Sequence, residues 1–283
     1  MRFVRRLFLD ALTMTTARRL DTLTLRVPDV ASTLAFYTKI MGMLPSNSDN
    51  DGDSATIGYT DTGLKLKFVS CQSNRQTTSS DAYWKIGITV KDLDQTVAFL
   101  QKQGVPCSPP QQFMDIGYLC HLRDPANLSV ELLQQRFEGR QEAVRVNQNE
   151  ASSHVIGCQA TLAHITIRVT DLKMAQKFWE ETMGMRLMSI QPVTRYGFTL
   201  YFYTWSDENL PNPNDLKAVE NREWLWARPY AMIELQHLES RDADDVPKLR
   251  ITPDGEAGPV TLLCHNNGSN ESTEIDCGKD LGL

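Results

Sequence analysis

His164 opens the segment HITIRVTDLKMAQKFWEETMGM, residues 164–185, and Glu234 lies inside YAMIELQH, residues 230–237. In an extended strand residues two apart share a face, so His164, Thr166 and Arg168 point one way while Ile165, Ile167 and Val169 point the other. The apolar set must pack into a core, which leaves the imidazole and the guanidinium facing the opposite side. The same alternation puts Met232, Glu234 and Gln236 together, with Ile233, Leu235 and His237 behind them. A carboxylate among apolar neighbours is costly unless it is paired or bound to a cation. An imidazole nitrogen with a carboxylate oxygen is a donor mixture suited to zinc, nickel and similar divalent ions. The plain alternative is a satisfied interior histidine at 164 and an ion pair between Glu234 and an arginine such as Arg228. The residues alone leave both open; His237, on the other face, reads as structural.

The elements that must position these groups recur along the chain. Residues 22–43, TLTLRVPDVASTLAFYTKIMGM, anticipate residues 164–185: Leu25, Arg26, Val27, Asp29, Phe36 and Gly42-Met43 return as Ile167, Arg168, Val169, Asp171, Phe178 and Gly184-Met185. A third version, WKIGITVKDLDQTVAFLQKQGV, occupies residues 84–105. Each copy reads as a strand of period 2, a break at an aspartate, a helix of apolar spacing and a closing glycine. In the first copy Ser32-Thr33 are the expected helix-capping oxygens. Short alternating runs follow each copy: ATIGYT and GLKLKFV, then GYLCHLRD and NLSVELLQ, then GFTLYFYTW and YAMIELQH. The predicted fold class is therefore α+β, built of tandem βαβββ modules, three of them with no clear fourth. Residues 20–137 form a domain of two modules, 138–160 a polar linker, 161–240 the third module, and 241–283 a polar tail or degenerate module.

The chain has 283 residues, 29 basic and 35 acidic, for a formal charge of −6. That balance offers phosphates no general attraction, so nucleic acid and anionic membrane surfaces are excluded as main partners and a small-molecule substrate is expected. No apolar run approaches the roughly 18 residues of a membrane span. Six cysteines without a CxxC pair argue against a zinc cluster or thioredoxin-like site. Residues 1–19 carry five arginines against one acid, Asp10, which fits either an extension or an organelle-targeting leader. The expected location is cytoplasmic, with a mitochondrial or other organelle address as the reading of that arginine-rich start.

The repeats resemble the vicinal oxygen chelate superfamily, whose paired βαβββ modules curl a sheet around a divalent-metal cavity. The third unit is similar to glyoxalase I (lactoylglutathione lyase) through HITIRV, FWEETMGMRL, LYFYTWSDENLPNP and WLWARPYAMIELQH. The resemblance implies metal ligands on the first and last strands of a module, at His164 and Glu234, with Glu234 also the base. It implies that Arg168 contacts the carboxylate of a glutathione adduct. Leu238 departs from the pattern, which has an amide there for the cosubstrate. In the first unit the histidine slot holds Thr22, and the last strand offers Lys65 or Lys67. In the second, Lys85 fills the histidine slot while Glu131 is kept. An ammonium has no lone pair to give and repels a divalent ion, so these two units read as a metal-free pair in which Lys85 neutralises Glu131. The third unit then has three ways to complete a site: a second copy of the chain in a homodimer, the second unit with its Glu131 and Lys85, or no partner. The implied function is a metal-dependent lyase for the hemithioacetal of methylglyoxal and glutathione. The alternatives are a non-catalytic small-molecule binder and, lacking the required second histidine, an extradiol dioxygenase.

Overall fold

Asp29, Asp92 and Asp171 each sit in extended backbone just ahead of a helix and accept a hydrogen bond from the N–H three residues on, at Ser32, Gln95 and Met174, each at 2.9 Å. They start α1 (Val30–Ala35), α2 (Leu93–Lys102) and α3 (Leu172–Gln176); α1 and α3 run on in wider π-type turns over Phe36–Ile40 and Lys177–Thr182. The cap of α1 is thus Asp29 and not the expected Ser32-Thr33, whose Thr33 hydroxyl instead donates back to the Asp29 carbonyl at 2.7 Å. Gly42, Gly104 and Gly184 follow these helices with φ of 72°, 73° and 64°, the left-handed turn that favours glycine.

This computed structural model describes residues 18–46, 54–73, 77–140, 153–239, 246–266, 272–277 and 279. The leader reading falls on residues 1–17, and most of the linker reading on 141–152, all outside the described residues. The first unit supplies β1 (Arg19–Val27), β2 (Leu44–Pro45), β3 (Ser54–Gly58) and β4 (Lys65–Ser70); the second β5 (Tyr83–Val90), β6 (Gln111–Phe113), β7 (Gly117–Arg123) and β8 (Ser129–Gln134). The third supplies β9 (Thr161–Val169), β10 (Arg186–Val193), β11 (Phe198–Thr204), α4 (Val219–Trp226) and β12 (Met232–Leu238), and the tail adds β13 (Gly258–His265) and β14 (Ser272–Asp276).

Two sheets result, six-stranded in the order β14-β13-β1-β4-β3-β2 and eight-stranded in the order β10-β11-β12-β9-β5-β8-β7-β6. The pairing expected from sequence is corrected here: the first two units do not share a sheet. Strand β1 takes β13 of the tail as its antiparallel neighbour, while β5 of the second unit lies antiparallel to β9 of the third. The expected tail or degenerate module thus contributes an edge to the first sheet. The reason is geometric, since every first strand has one free edge of unpaired backbone groups and any other strand of suitable length can satisfy it.

Behind the sheets one apolar cluster joins the two halves: Leu23, Leu25, Tyr37 and Phe68 from the first unit pack in the same core as Ile86, Ile88, Ile165, Ile167 and Trp179. A polar bond crosses the same boundary. The Tyr37 hydroxyl donates to Asp124 Oδ2 at 3.0 Å, and the Leu128 N–H donates to Oδ1 at 2.9 Å. Burial pushes the Asp124 carboxyl up to about 6, only partly opposed by Leu128, Tyr37, Ala126 and Arg123. The folded chain therefore holds this proton more tightly than the unfolded one. Its ionisation costs stability above pH 6, and the cost is relieved as pH falls through 6 toward 4. Between pH 7 and pH 5 the native protein should gain about 1 kcal/mol relative to Asp124→Asn. Urea unfolding of both proteins at the two pH values measures this, and parallel pH dependences would refute it.

Candidate metal centre

The centre of the eight-stranded sheet carries two compensating bulges. Trp84 is the extra residue between the pairs Tyr83–Ile167 and Lys85–Thr166, and Ala163 the extra residue between Gly87–His164 and Ile88–Leu162. Within that interval Lys85 and Gly87 face the hollow side, opposite Ile86 and Ile88, which lie in the core. On β9 His164, Thr166 and Arg168 face the hollow, as the alternation predicts; on β12 Met232, Glu234 and Gln236 do, and on β8 Glu131 and Leu133. Sheet pairing then aligns the polar members: Gly87 lies between Glu131 on one side and His164 on the other.

The bare glycine is what admits the imidazole. A Cβ at position 87 would lie 1.9 Å from His164 Cε1 and 2.0 Å from Nε2. With that space open, His164 Nε2 reaches to 3.2 Å from Glu131 Oε1 and 3.3 Å from Glu234 Oε2. Neither contact has hydrogen-bond alignment, and His164 Nδ1 and Glu234 Oε1 also accept or donate none. One donor atom from each of Glu131, His164 and Glu234 falls within 4.8 Å of the others; among the described residues this is the one group of acidic, imidazole or thiol side chains so placed. Two carboxylate oxygens and an imidazole nitrogen, all buried, with His164 and Glu234 Oε1 lacking hydrogen bonds, fit a first-row divalent ion, and three protein donors are the number a catalytic zinc site uses.

Lys85 stands over the same three groups. Its ammonium donates a short hydrogen bond to Glu131 Oε2 and lies 3.8 Å from Glu234 Oε1, beneath the Trp84 ring at 4.4 Å. His121, next to Glu131 across the β7–β8 pair, brings Nε2 to 3.0 Å from Glu131 Oε2. Burial alone would raise the Glu131 carboxyl, but Lys85 with His121 and His164 outweighs it and holds the group well below the usual carboxylate range. Glu131 is therefore ionised at neutral pH. The four central side chains are 1–5% exposed, whereas the side chain of His121 is 38% exposed and stacks on Trp84 at 6.0 Å, so these two rings form the solvent side of the site.

The remaining wall is apolar. Helix α4, inserted between β11 and β12, lays Leu225 and Trp226 over Leu119, Leu133, Phe202 and Met232. The Trp226 indole donates to the Ile116 carbonyl at 2.8 Å, and its ring stands 6.2 Å from that of His164.

Arg168 shares the face but not the cluster. Its Nε donates to Gln236 Oε1 at 3.0 Å and its Nη1 to the carbonyls of Thr78 and Asp81 at 3.0 and 2.9 Å, while the guanidinium lies 4.7 Å from the Trp84 ring centre. Burial lowers it to about 10, opposed by Asp81, so it stays cationic at neutral pH. Glu234 is not the partner of Arg228, which bonds Glu208 at 2.9 Å. His237 lies apart, against Tyr201. In the first sheet Thr22 pairs with Lys65 and Thr24 with Lys67, and Lys65 lies 3.9 Å from Asp21.

Of the three ways to complete the site, the structure has the second, in which the second unit of the same chain supplies Glu131 together with Lys85. The expected metal-free pair of units one and two does not form, so Lys85 and Glu131 belong to the same hollow as His164 and Glu234. Gly87, His121, Trp84 and Trp226 carry no functional reading in the sequence pattern. A glycine in the interior of a strand, where it marks a close approach, was the available signal for Gly87; its partner and the other three needed the fold.

Residues 19–132 match the family model described as the Glyoxalase/Bleomycin resistance protein/Dioxygenase superfamily. No curated protein matches the chain at a significant level. Among solved structures the chain is similar to glyoxalase I from Zea mays, at 16% identity over 89% of this chain and 76% of that one, with a TM-score of 0.60. A mutant form of the same enzyme matches at 17% identity over 81% and 72%, with a TM-score of 0.57. At these identities the likeness speaks for the fold. Among the described residues no helix is long and apolar enough to cross a membrane.

Proposed function

We propose, for a chain whose residues 19–132 match the model of the Glyoxalase/Bleomycin resistance protein/Dioxygenase superfamily, a glyoxalase I-like lyase activity on the hemithioacetal of an α-ketoaldehyde such as methylglyoxal and glutathione. The observation that carries this reading is the convergence of Glu131, His164 and Glu234 from two repeats in one buried hollow. The difficult event in such a reaction is removal of a proton from carbon, which needs a base in a dry site beside a group that stabilises the negative charge left behind. A divalent ion held by Glu131, His164 and Glu234 would supply that stabilisation as a Lewis acid.

The chain's own residues account for the rest. Glu234 is our base: its Oε1 accepts no hydrogen bond, so it can take the proton from one substrate carbon and return it to the neighbouring carbon while the hydroxyl proton passes from the first carbon's oxygen to the second's, an isomerisation that conserves every atom. Trp226, Phe202 and Met232 keep water from the reacting atoms, and the Trp84–His121 edge is the entrance. Arg168 is our candidate for a cosubstrate carboxylate, which it would meet with the part of its guanidinium not spent on Gln236, Thr78 and Asp81.

A reconstitution assay tests this: metal-stripped protein is supplied with Zn²⁺, Ni²⁺ or Co²⁺ and mixed with methylglyoxal and glutathione. Turnover should require the ion, and His164→Ala should lower it on the order of 100-fold or more, as loss of a ligand or its support does. The position of the Lys85 ammonium favours a second reading, a metal-free small-molecule binder. Absence of turnover in both proteins, with every ion, would overturn the lyase in its favour. An extradiol dioxygenase would need two histidines among the donors and has one.

A further inference from the structure

Lys85 occupies the place in its repeat that His164 occupies in the next: each stands on the first strand, seven residues before the aspartate that caps the following helix. Because β5 and β9 lie side by side, the two homologous positions meet in one hollow, and Lys85 delivers a positive charge where a fourth donor would stand. Its hydrogen bond to Glu131 and its 3.8 Å approach to Glu234 engage both carboxylates of the centre. The Trp84 ring above it and the stacked His121 hold it there and away from water. An ammonium and a divalent ion within a few ångströms, in a site this dry, repel each other and compete for the same oxygens.

We propose that Lys85 is a resident internal cation of this centre: it bonds Glu131 and offsets the nearby charge of Glu234 in the metal-free protein, and must release Glu131 before a divalent ion can be fully held, so that it sets the affinity of the site. The inference rests on the reading of this centre as a cation site and makes no use of turnover. It assigns Lys85 a positioning and gating role rather than a ligand's.

The test is zinc chloride titrated into metal-stripped full-length protein, followed by calorimetry against a competing chelator, for the native chain and for Lys85→Gln, Lys85→His and Lys85→Arg. The Gln and His variants should bind zinc at least tenfold more tightly than the native protein, with His the tighter of the two, and the charge-retaining Arg variant should bind no more tightly than the native chain. Far-ultraviolet circular dichroism of each variant before titration establishes that it is folded. If Lys85→Gln does not fold without metal, Lys85→Met, which likewise removes the charge and adds no nitrogen or oxygen donor, takes its place in the comparison with native and Lys85→Arg. Equal affinities across native, Gln, His and Arg proteins would overturn the inference, as would native binding tighter than Lys85→Gln. The affinity ladder without any lyase turnover would uphold the role of Lys85 while removing the proposed reaction; turnover with a flat ladder would do the reverse.

Discussion

Replacing Glu131 by alanine is expected to cost about 3–5 kcal/mol of unfolding free energy, the range seen when one member of a buried ion pair is removed. The carboxylate is the acceptor for Lys85, lies 3.0 Å from His121 Nε2 and 3.2 Å from His164 Nε2, and is 5% exposed. Without it the Lys85 ammonium keeps Glu234 at 3.8 Å as its remaining acidic neighbour, too far for a good hydrogen bond. The penalty comes mainly from that stranded charge and less from the bond itself. The double variant Lys85→Met with Glu131→Ala should therefore recover part of the loss, since the ammonium is no longer stranded, although Glu234 then loses its nearest cation. Guanidinium unfolding of the native, single and double variants measures both numbers. A single-variant loss below about 1 kcal/mol would mean that the pair behaves as a solvated surface contact and that water reaches the hollow floor.

Gly87→Ala should also destabilise the protein, although it adds one methyl group. The added Cβ would lie 1.9 Å from His164 Cε1, and the ring has little room to yield with Phe202 at 6.3 Å and Trp226 at 6.2 Å between ring centres on its other sides. Alanine suits a strand at least as well as glycine does, so any destabilisation reports the clash alone. Overpacking of this kind costs roughly 1–3 kcal/mol. The imidazole must turn away, taking Nε2 from both carboxylates, and zinc affinity should fall on the order of 100-fold. Thermal unfolding and the same chelator competition provide the readouts. A Gly87→Ala protein of native affinity would show that His164 is not held against this strand.

The two substitutions act on one set of contacts, from opposite ends of the range of sequence legibility. Glu131, His164, Glu234 and Lys85 were each visible as residues of the right type at matching places in a repeated strand, helix and strand pattern. Period-2 alternation put His164 with Arg168 and Glu234 with Gln236, and the structure has them so, because side-chain direction in a strand follows from backbone geometry and needs no distant partner. The aspartate before each helix and the glycine after it were equally local; only the choice between Asp29 and Ser32-Thr33 as the first cap required coordinates.

Which repeat lies beside which was not legible. Strands β1, β5 and β9 offer similar alternating faces and similar free edges, so proximity along the chain suggested joining the first two units. The tertiary structure joins β5 to β9 and gives β1 to the tail strand β13. That choice depends on packing between elements far apart in sequence, such as the core shared by Tyr37, Ile86 and Trp179, and a local pattern carries no record of it. The same holds for the bulges at Trp84 and Ala163 and for Trp226 closing the hollow. By itself the sequence determined the repeat, its faces and the inventory of polar groups they bear. The tertiary structure decided that Lys85 and Glu131 face His164 and Glu234, because strand edges select their neighbours by the packing of the whole molecule.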